Sequence, residues 1–290
     1  MSTSGVIEGT QMDKENLLGV MQGRLLPKYQ GRYQAHPLGY WQQEFTIAAQ
    51  LGLDCIEFIV DLNDLQDNPL MSAPGRDEIR VLTLQTGVQV KTFCADIFMQ
   101  QPLHDENSNK SGASLMVLQS LLVAAKELQV SDIVIPCVDQ SSLASDKQME
   151  RFVQAIKPLL SECEHYGVNL SLETDLAPEP FVRLLDRLSS ARVTVNYDIG
   201  NSAALGYDPK VELSHYGDRI SDIHVKDRVL NGGPVVLGQG DADFERFFDA
   251  LAAYRYKGPF IMQAYRDEQG VDIFKQQLDW VRPYLRSHGE

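Results

Sequence analysis

The chain has 290 residues, 43% of them hydrophobic, and a formal net charge of −14. That hydrophobic share supports a packed core and excludes a disordered chain. The acidic balance excludes nucleic acid and an anionic membrane surface as partners, since both are held by clustered Lys and Arg. A small phosphorylated ligand needs only a local cationic pocket and stays open.

The opening stretch MSTSGVIEGTQMDKENL has neither a basic n-region nor an apolar h-region, so it is not read as a signal peptide. Residues 1–16 are expected to be a flexible tail and residues 17–290 one domain. No apolar run reaches the roughly 18 residues of a membrane-spanning helix. In chain order, short β-branched runs bounded by Gly, Asp or Pro predict eight strands: Leu18–Gln22, Cys55–Val60, Val90–Cys94, Ile133–Cys137, Asn169–Glu173, Val193–Asp198, Ile220–Lys226 and Phe260–Ala264. Helical spacing lies between them. Leu115, Leu118, Leu122, Ala125 and Leu128 share one face over 114–128. Phe152, Ile156, Leu159 and Cys163 do so over 151–166, and Phe244, Phe247, Phe248 and Leu251 over 243–252. Phe274, Leu278, Val281 and Leu285 mark a last helix at 271–286. Glycines in GLD, TGV, YGV and YKG are expected to end the preceding helices.

Eight βα units in one chain predict an α/β fold, a single (β/α)8 TIM barrel, since such barrels take about 250 residues. A doubly wound open sheet would carry a Gly-rich first turn, which is missing here. Three long connections, 23–41, 97–112 and 227–242, are placed at the C-terminal mouth, where barrel chemistry occurs. The last contains GGPVVLGQGD, whose glycines suit a small hairpin. The four cysteines, Cys55, Cys94, Cys137 and Cys163, form no CxxC pair. Three fall in apolar runs, which suits reduced, buried thiols and a cytoplasmic compartment.

Four polar residues sit near the ends of the last four strands: Glu173 in NLSLETD, Asp198 in VNYDIGN, His224 in DIHVKD and Gln263 in FIMQAY. Taken singly, each also suits a helix cap or a salt bridge. Together on one rim they offer two carboxylates, an imidazole and an amide oxygen. That set suits one divalent metal ion: Mn2+, Mg2+, Co2+ or Zn2+.

The motifs LETD, VNYDIGNSAALGYDP, DIHVKDR and LGQGDADFERFFDAL resemble those of the sugar phosphate isomerase/epimerase group, the xylose isomerase-like barrels. The likeness runs over 17–286 in strand order and is sharpest over 170–265. It implies that Glu173, Asp198 and His224 are metal ligands and Glu173 the base of an enediolate mechanism. The substrate would be a small sugar or sugar phosphate. A homo-oligomer is implied as well, because members form dimers or tetramers. Where the family commonly has a fourth Glu, this chain has Gln263, which can coordinate but cannot take a proton. With Glu173 as the one metal-linked base, a ketose–aldose shift or a dehydration is expected ahead of inversion, which would need a second carboxylate from Glu57, Glu179 or Asp96. The same enolate chemistry serves a keto-polyol dehydratase, and a barrel without catalysis would be a sugar-binding protein.

Further substrate-binding candidates are Glu57 on the second strand and Glu179 in APEP, both from the resemblance, and Asn201, Lys226, Arg228 and Arg24. Arg suits bidentate phosphate contacts. Asp227 is a candidate to orient His224. His36 and His104 fall in mouth loops, as do Tyr29, Tyr33, Tyr40 and Trp41. The chain lacks the histidine-rich pattern of related three-metal endonucleases.

Overall fold

The computed structural model describes residues 16–268 and 270–287. Of the expected tail at 1–16, residues 1–15 lie outside them, as does His288. Asn16 is anchored: its Nδ2 donates to the carbonyls of Tyr256, at 3.1 Å, and Gly258, at 2.9 Å.

All eight expected strands form. They are β1 (Leu18–Met21), β2 (Cys55–Ile59), β3 (Gln89–Cys94), β4 (Asp132–Cys137), β5 (Asn169–Thr174), β6 (Val193–Asp198), β7 (Ile220–Val225) and β8 (Phe260–Met262). Each pairs in parallel with its sequence neighbours, and β8 closes on β1, giving one (β/α)8 barrel. Alternation sorts the side chains. On β5, Leu170 and Leu172 face the helices, whereas Ser171 and Glu173 face the axis; on β7, Ile223 and Val225 face out and Asp222 and His224 in. The large apolar core therefore lies between strands and helices. A small one, with Met21, Cys55, Ile59, Cys94, Val134 and Ile261, plugs the barrel. Packing there is tight: a Cβ on Gly19 would lie 2.6 Å from Cys55 Sγ. All four cysteines are free and buried. No described helix is long and apolar enough to cross a membrane.

Helix boundaries differ from the periodicity in ways that caps explain. The helix expected at 114–128 begins at Ser108, capped by Asn107, because its first turn is solvated and carries no apolar signal. The helix expected at 151–166 starts at Asp146 under a Ser145 cap. It then breaks into a 3₁₀ turn at Lys157–Leu159, where Pro158 has no N–H to give, and resumes over Leu160–Tyr166. Gly87 and Gly167 end helices in the left-handed region, as expected. Gly258 does not; it is small because a Cβ there would meet the Ser221 carbonyl at 2.0 Å. The expected hairpin is an antiparallel ribbon of Asp227–Arg228 with Pro234–Val235, so one arm directly follows the His224 strand.

Candidate active site

β5 and β6 carry Glu173 and Asp198 to the mouth, beside His224 on β7. One ligand atom from each lies within 4.8 Å of the other two, and all three side chains are buried. Asp198 is both cap and site residue. Its Oδ1 accepts from the Asn201 backbone N–H at 2.8 Å, starting the helix Ile199–Leu205, and its Oδ2 stands 3.3 Å from Lys226 Nζ. Asn201 links the group. Its Nδ2 donates to Glu173 Oε1, and its Oδ1 accepts from Lys226 Nζ at 3.2 Å and Arg228 Nη1 at 2.8 Å. Burial, and then the Asp198 carboxylate, push the Glu173 pKa up to about 7 against the pull of His224 and Lys226.

His224 is fully buried. Its Nε2 lies 2.8 Å from Glu57 Oε1, and its Nδ1 has no partner among the described residues. Burial disfavours the imidazolium, but Glu57, then Asp222 and Glu173, favour it more and carry its pKa up to about 10. Glu57, Asp222 and His224 form a second close trio, one step lower in the barrel. Burial, and then Glu57, push the Asp222 pKa well above the ordinary carboxylate range.

Gln263 follows β8, and its backbone N–H donates to the Val225 carbonyl at 3.1 Å. Its Nε2 donates to Gln34 Oε1 at 3.1 Å, while its Oε1 is buried without a partner among the described residues. Two unpartnered atoms, His224 Nδ1 and Gln263 Oε1, thus accompany two carboxylates, and Nδ1 offers a lone pair once His224 is neutral with its Nε2–H given to Glu57. This donor set fits a hard or borderline divalent cation, whose charge the carboxylates balance.

A cavity of about 430 Å³ opens above, lined among others by Gln34, Asp96, Glu173, Asn201, Lys226 and Gln263. Arg228 also lines it. Its guanidinium is held in place by the Gly232 carbonyl, at 3.0 Å from Nε and 2.7 Å from Nη2. Other candidates stand elsewhere. Glu57 is absent from the lining and sits beneath, held also by the Thr92 hydroxyl at 2.8 Å. The Glu179 side chain is 66% exposed beside His215, so the structure does not bring it to the cavity. Arg24 lies one residue back from the wall, its Nη2 donating to Gln34 Oε1 at 3.0 Å. Asp227 does not touch His224. It accepts backbone N–H groups of Gly238, Gly240 and Ala242 and so folds the loop that presents Arg228. His36 is buried against Trp41 and Phe58, and His104 against Phe152. Trp41 packs on Phe45, whereas Tyr29, Tyr33 and Tyr40 bond within the mouth loops and none lines the cavity.

The sequence reading missed Gln34 and Glu44. Glu44 is fully buried and accepts N–H groups from Gly23, at 2.9 Å, and Leu25, at 3.1 Å, which fixes the turn after β1. Burial pushes its pKa up to about 7. A buried Glu at the start of an amphipathic helix was the available signal for Glu44. Gln34 had none, because its partners are 10, 62 and 229 residues away.

The sequence model of the xylose isomerase-like TIM barrels matches residues 45–284. The chain belongs to this family. This member is 26% identical over 266 residues to the L-ribulose-5-phosphate 3-epimerase UlaE of Salmonella heidelberg (strain SL476), with 86% of this chain and 91% of that protein covered. Its fold is similar to a D-psicose 3-epimerase solved in the presence of D-fructose, with a TM-score of 0.71 at 16% identity over 93% of this chain and 99% of that one. It is also similar to a xylose isomerase-like barrel from Mycobacterium smegmatis in complex with magnesium. There the TM-score is 0.72 at 16% identity, with 94% and 98% covered.

Proposed function

We propose that this protein is a divalent-cation-dependent isomerase or epimerase of a small ketose or ketose phosphate. Glu173 is the base that removes the proton α to the carbonyl. The observation that carries this reading is the convergence of Glu173, Asp198 and His224 at the mouth, within 4.8 Å of one another. A divalent cation held by these residues and Gln263 would supply Lewis-acid stabilisation of the enediolate. The remaining work belongs to the chain. In the cation-free site the Glu173 carboxyl has a pKa of about 7, and a divalent cation beside it would lower that value and keep it ionised as a base. Asn201 fixes that carboxyl, and Lys226 and Arg228 set donors along the wall for sugar hydroxyls or a phosphate.

Inversion needs a second proton donor, and Gln263 is not one. Of the three carboxyls expected as alternatives, only Asp96 lines the cavity. Burial raises its pKa, which favours the protonated, donating form. Asp96 therefore supports epimerisation, in line with the names of the relatives.

The test is incubation of the Mn2+-loaded protein with ketoses and ketose 5-phosphates in heavy water, followed by NMR. Deuterium at C-3 with inversion is the expected outcome. Deuterium at C-1 or C-2 with aldose formation would make it a one-base isomerase, and loss of water a dehydratase. Glu173→Gln should lower exchange by about 10²–10⁴-fold. A cation-loaded protein that exchanges no proton of any ketose would be a sugar-binding barrel instead.

A further inference from the structure

We infer that Gln34 is a positioning residue that turns the Gln263 amide so that its oxygen, not its nitrogen, is offered to the Glu173–Asp198–His224 cluster. The inference rests on the cation-site reading above.

A carboxylate presents an oxygen whichever way it turns. A glutamine does so in only one of two orientations of nearly equal shape, and the other points an NH2 group at the cation. Something must therefore choose. Gln263 Nε2 donates to Gln34 Oε1 at 3.1 Å, which leaves Gln263 Oε1 buried and unpartnered. Gln34 is itself held from two sides. Arg24 Nη2 donates to the same Oε1 at 3.0 Å, and Gln34 Nε2 donates to Asp96 Oδ2 at 2.9 Å. A guanidinium can only donate, so it dictates that Gln34 turns its oxygen towards Arg24 and Gln263. Flipping Gln263 alone would set two amide oxygens against each other. Flipping both amides would set an NH2 group against Arg24.

The chain of control continues into the fold. Arg24 follows Gly23, whose φ of 85° and a would-be Cβ 2.0 Å from the Tyr33 carbonyl admit only glycine. Glu44 clamps the N–H groups on both sides of Arg24. The turn after β1 thus sets Arg24, Arg24 sets Gln34, and Gln34 sets Gln263. In this arrangement Arg24, Gln34 and Asp96 make a neutral amide a reliable oxygen ligand where a carboxylate would need no such help.

The test is a double-variant cycle read by Mn2+ affinity, from the electron paramagnetic resonance of free Mn2+. The four proteins are wild type, Gln34→Met, Gln263→Glu and the double variant. Gln34→Met keeps the volume and removes the hydrogen bonds. It should weaken Mn2+ binding about 10–100-fold in the wild-type background. In the Gln263→Glu background the same change should have little effect, because that carboxylate needs no orienting; tight binding there also shows that the fold survives. Equal losses in both backgrounds would overturn the inference, and so would no loss in either. Absence of Mn2+ and Zn2+ binding by the wild type would instead remove the cation-site reading, and the inference with it.

Discussion

Replacing Glu57 tests the contact on which the placement of His224 depends. Both side chains are 0% exposed, and Oε1 lies 2.8 Å from Nε2. In the cation-free protein, Glu57→Ala leaves a buried imidazolium without its counter-charge, at about 3–5 kcal/mol. It also strips the Thr92 hydroxyl of its acceptor, which adds about 1–3 kcal/mol. Against a total stability of about 5–15 kcal/mol, the loss is large. The urea midpoint should fall by about 1–2 M. Glu57→Gln separates charge from hydrogen bonding. Its amide oxygen still accepts from His224 and its nitrogen can donate to Thr92 Oγ1, so most of the stability is retained. The His224 pKa should then drop from about 10 towards the ordinary range, because its largest favourable influence is gone. The assays, all on cation-free protein, are urea denaturation of all three proteins and an NMR titration of the His224 ring. The reasoning is refuted if Glu57→Ala unfolds at the wild-type midpoint, or if Glu57→Gln leaves the His224 titration unchanged.

Three more outcomes are expected. The Glu44 pKa of about 7 lies above its ordinary 4.5, so its contribution to stability is full below pH 4.5 and is lost as pH rises through 7. The span corresponds to about 3 kcal/mol. Denaturation of Glu44→Gln at pH 5 and pH 8 should show a smaller difference than the wild type does. In Gly240→Ala the new Cβ would lie 2.1 Å from Asp227 Oδ1 and 2.6 Å from the Arg228 carbonyl, so the loop must shift. A loss of about 1–3 kcal/mol should appear as a lower Tm, with a fall in kcat/KM beyond it because Arg228 is displaced. Asp96→Asn should still exchange the substrate proton through Glu173 but no longer invert the carbon. Deuterium uptake matched by inversion in that variant would show that Asp96 is not the second donor.

Strand positions were legible because each barrel strand alternates between an axis-facing and a helix-facing side chain, and the helix-facing ones are uniformly apolar. Glu173, Asp198 and His224 were legible because consecutive parallel strands turn a sequence position at a strand end into a place on one rim. What alternation could not give was depth. Glu57 and Glu173 both face the axis, yet Glu57 is a layer lower and meets His224 rather than the cavity. Charge type misled at Arg24 and Asp227 as well, since loop charges are free to bond inwards to backbone and amide groups.

By itself, then, the sequence determined the barrel, its eight strands and the trio of candidate ligands, because local periodicity and strand order suffice to specify them. The tertiary structure decided which polar side chains reach the cavity and which way the Gln263 amide turns. Those choices are made by hydrogen bonds between residues far apart in the chain, such as Gln34 with Gln263 and Glu57 with His224, and donor–acceptor matching at that distance leaves no trace in local spacing.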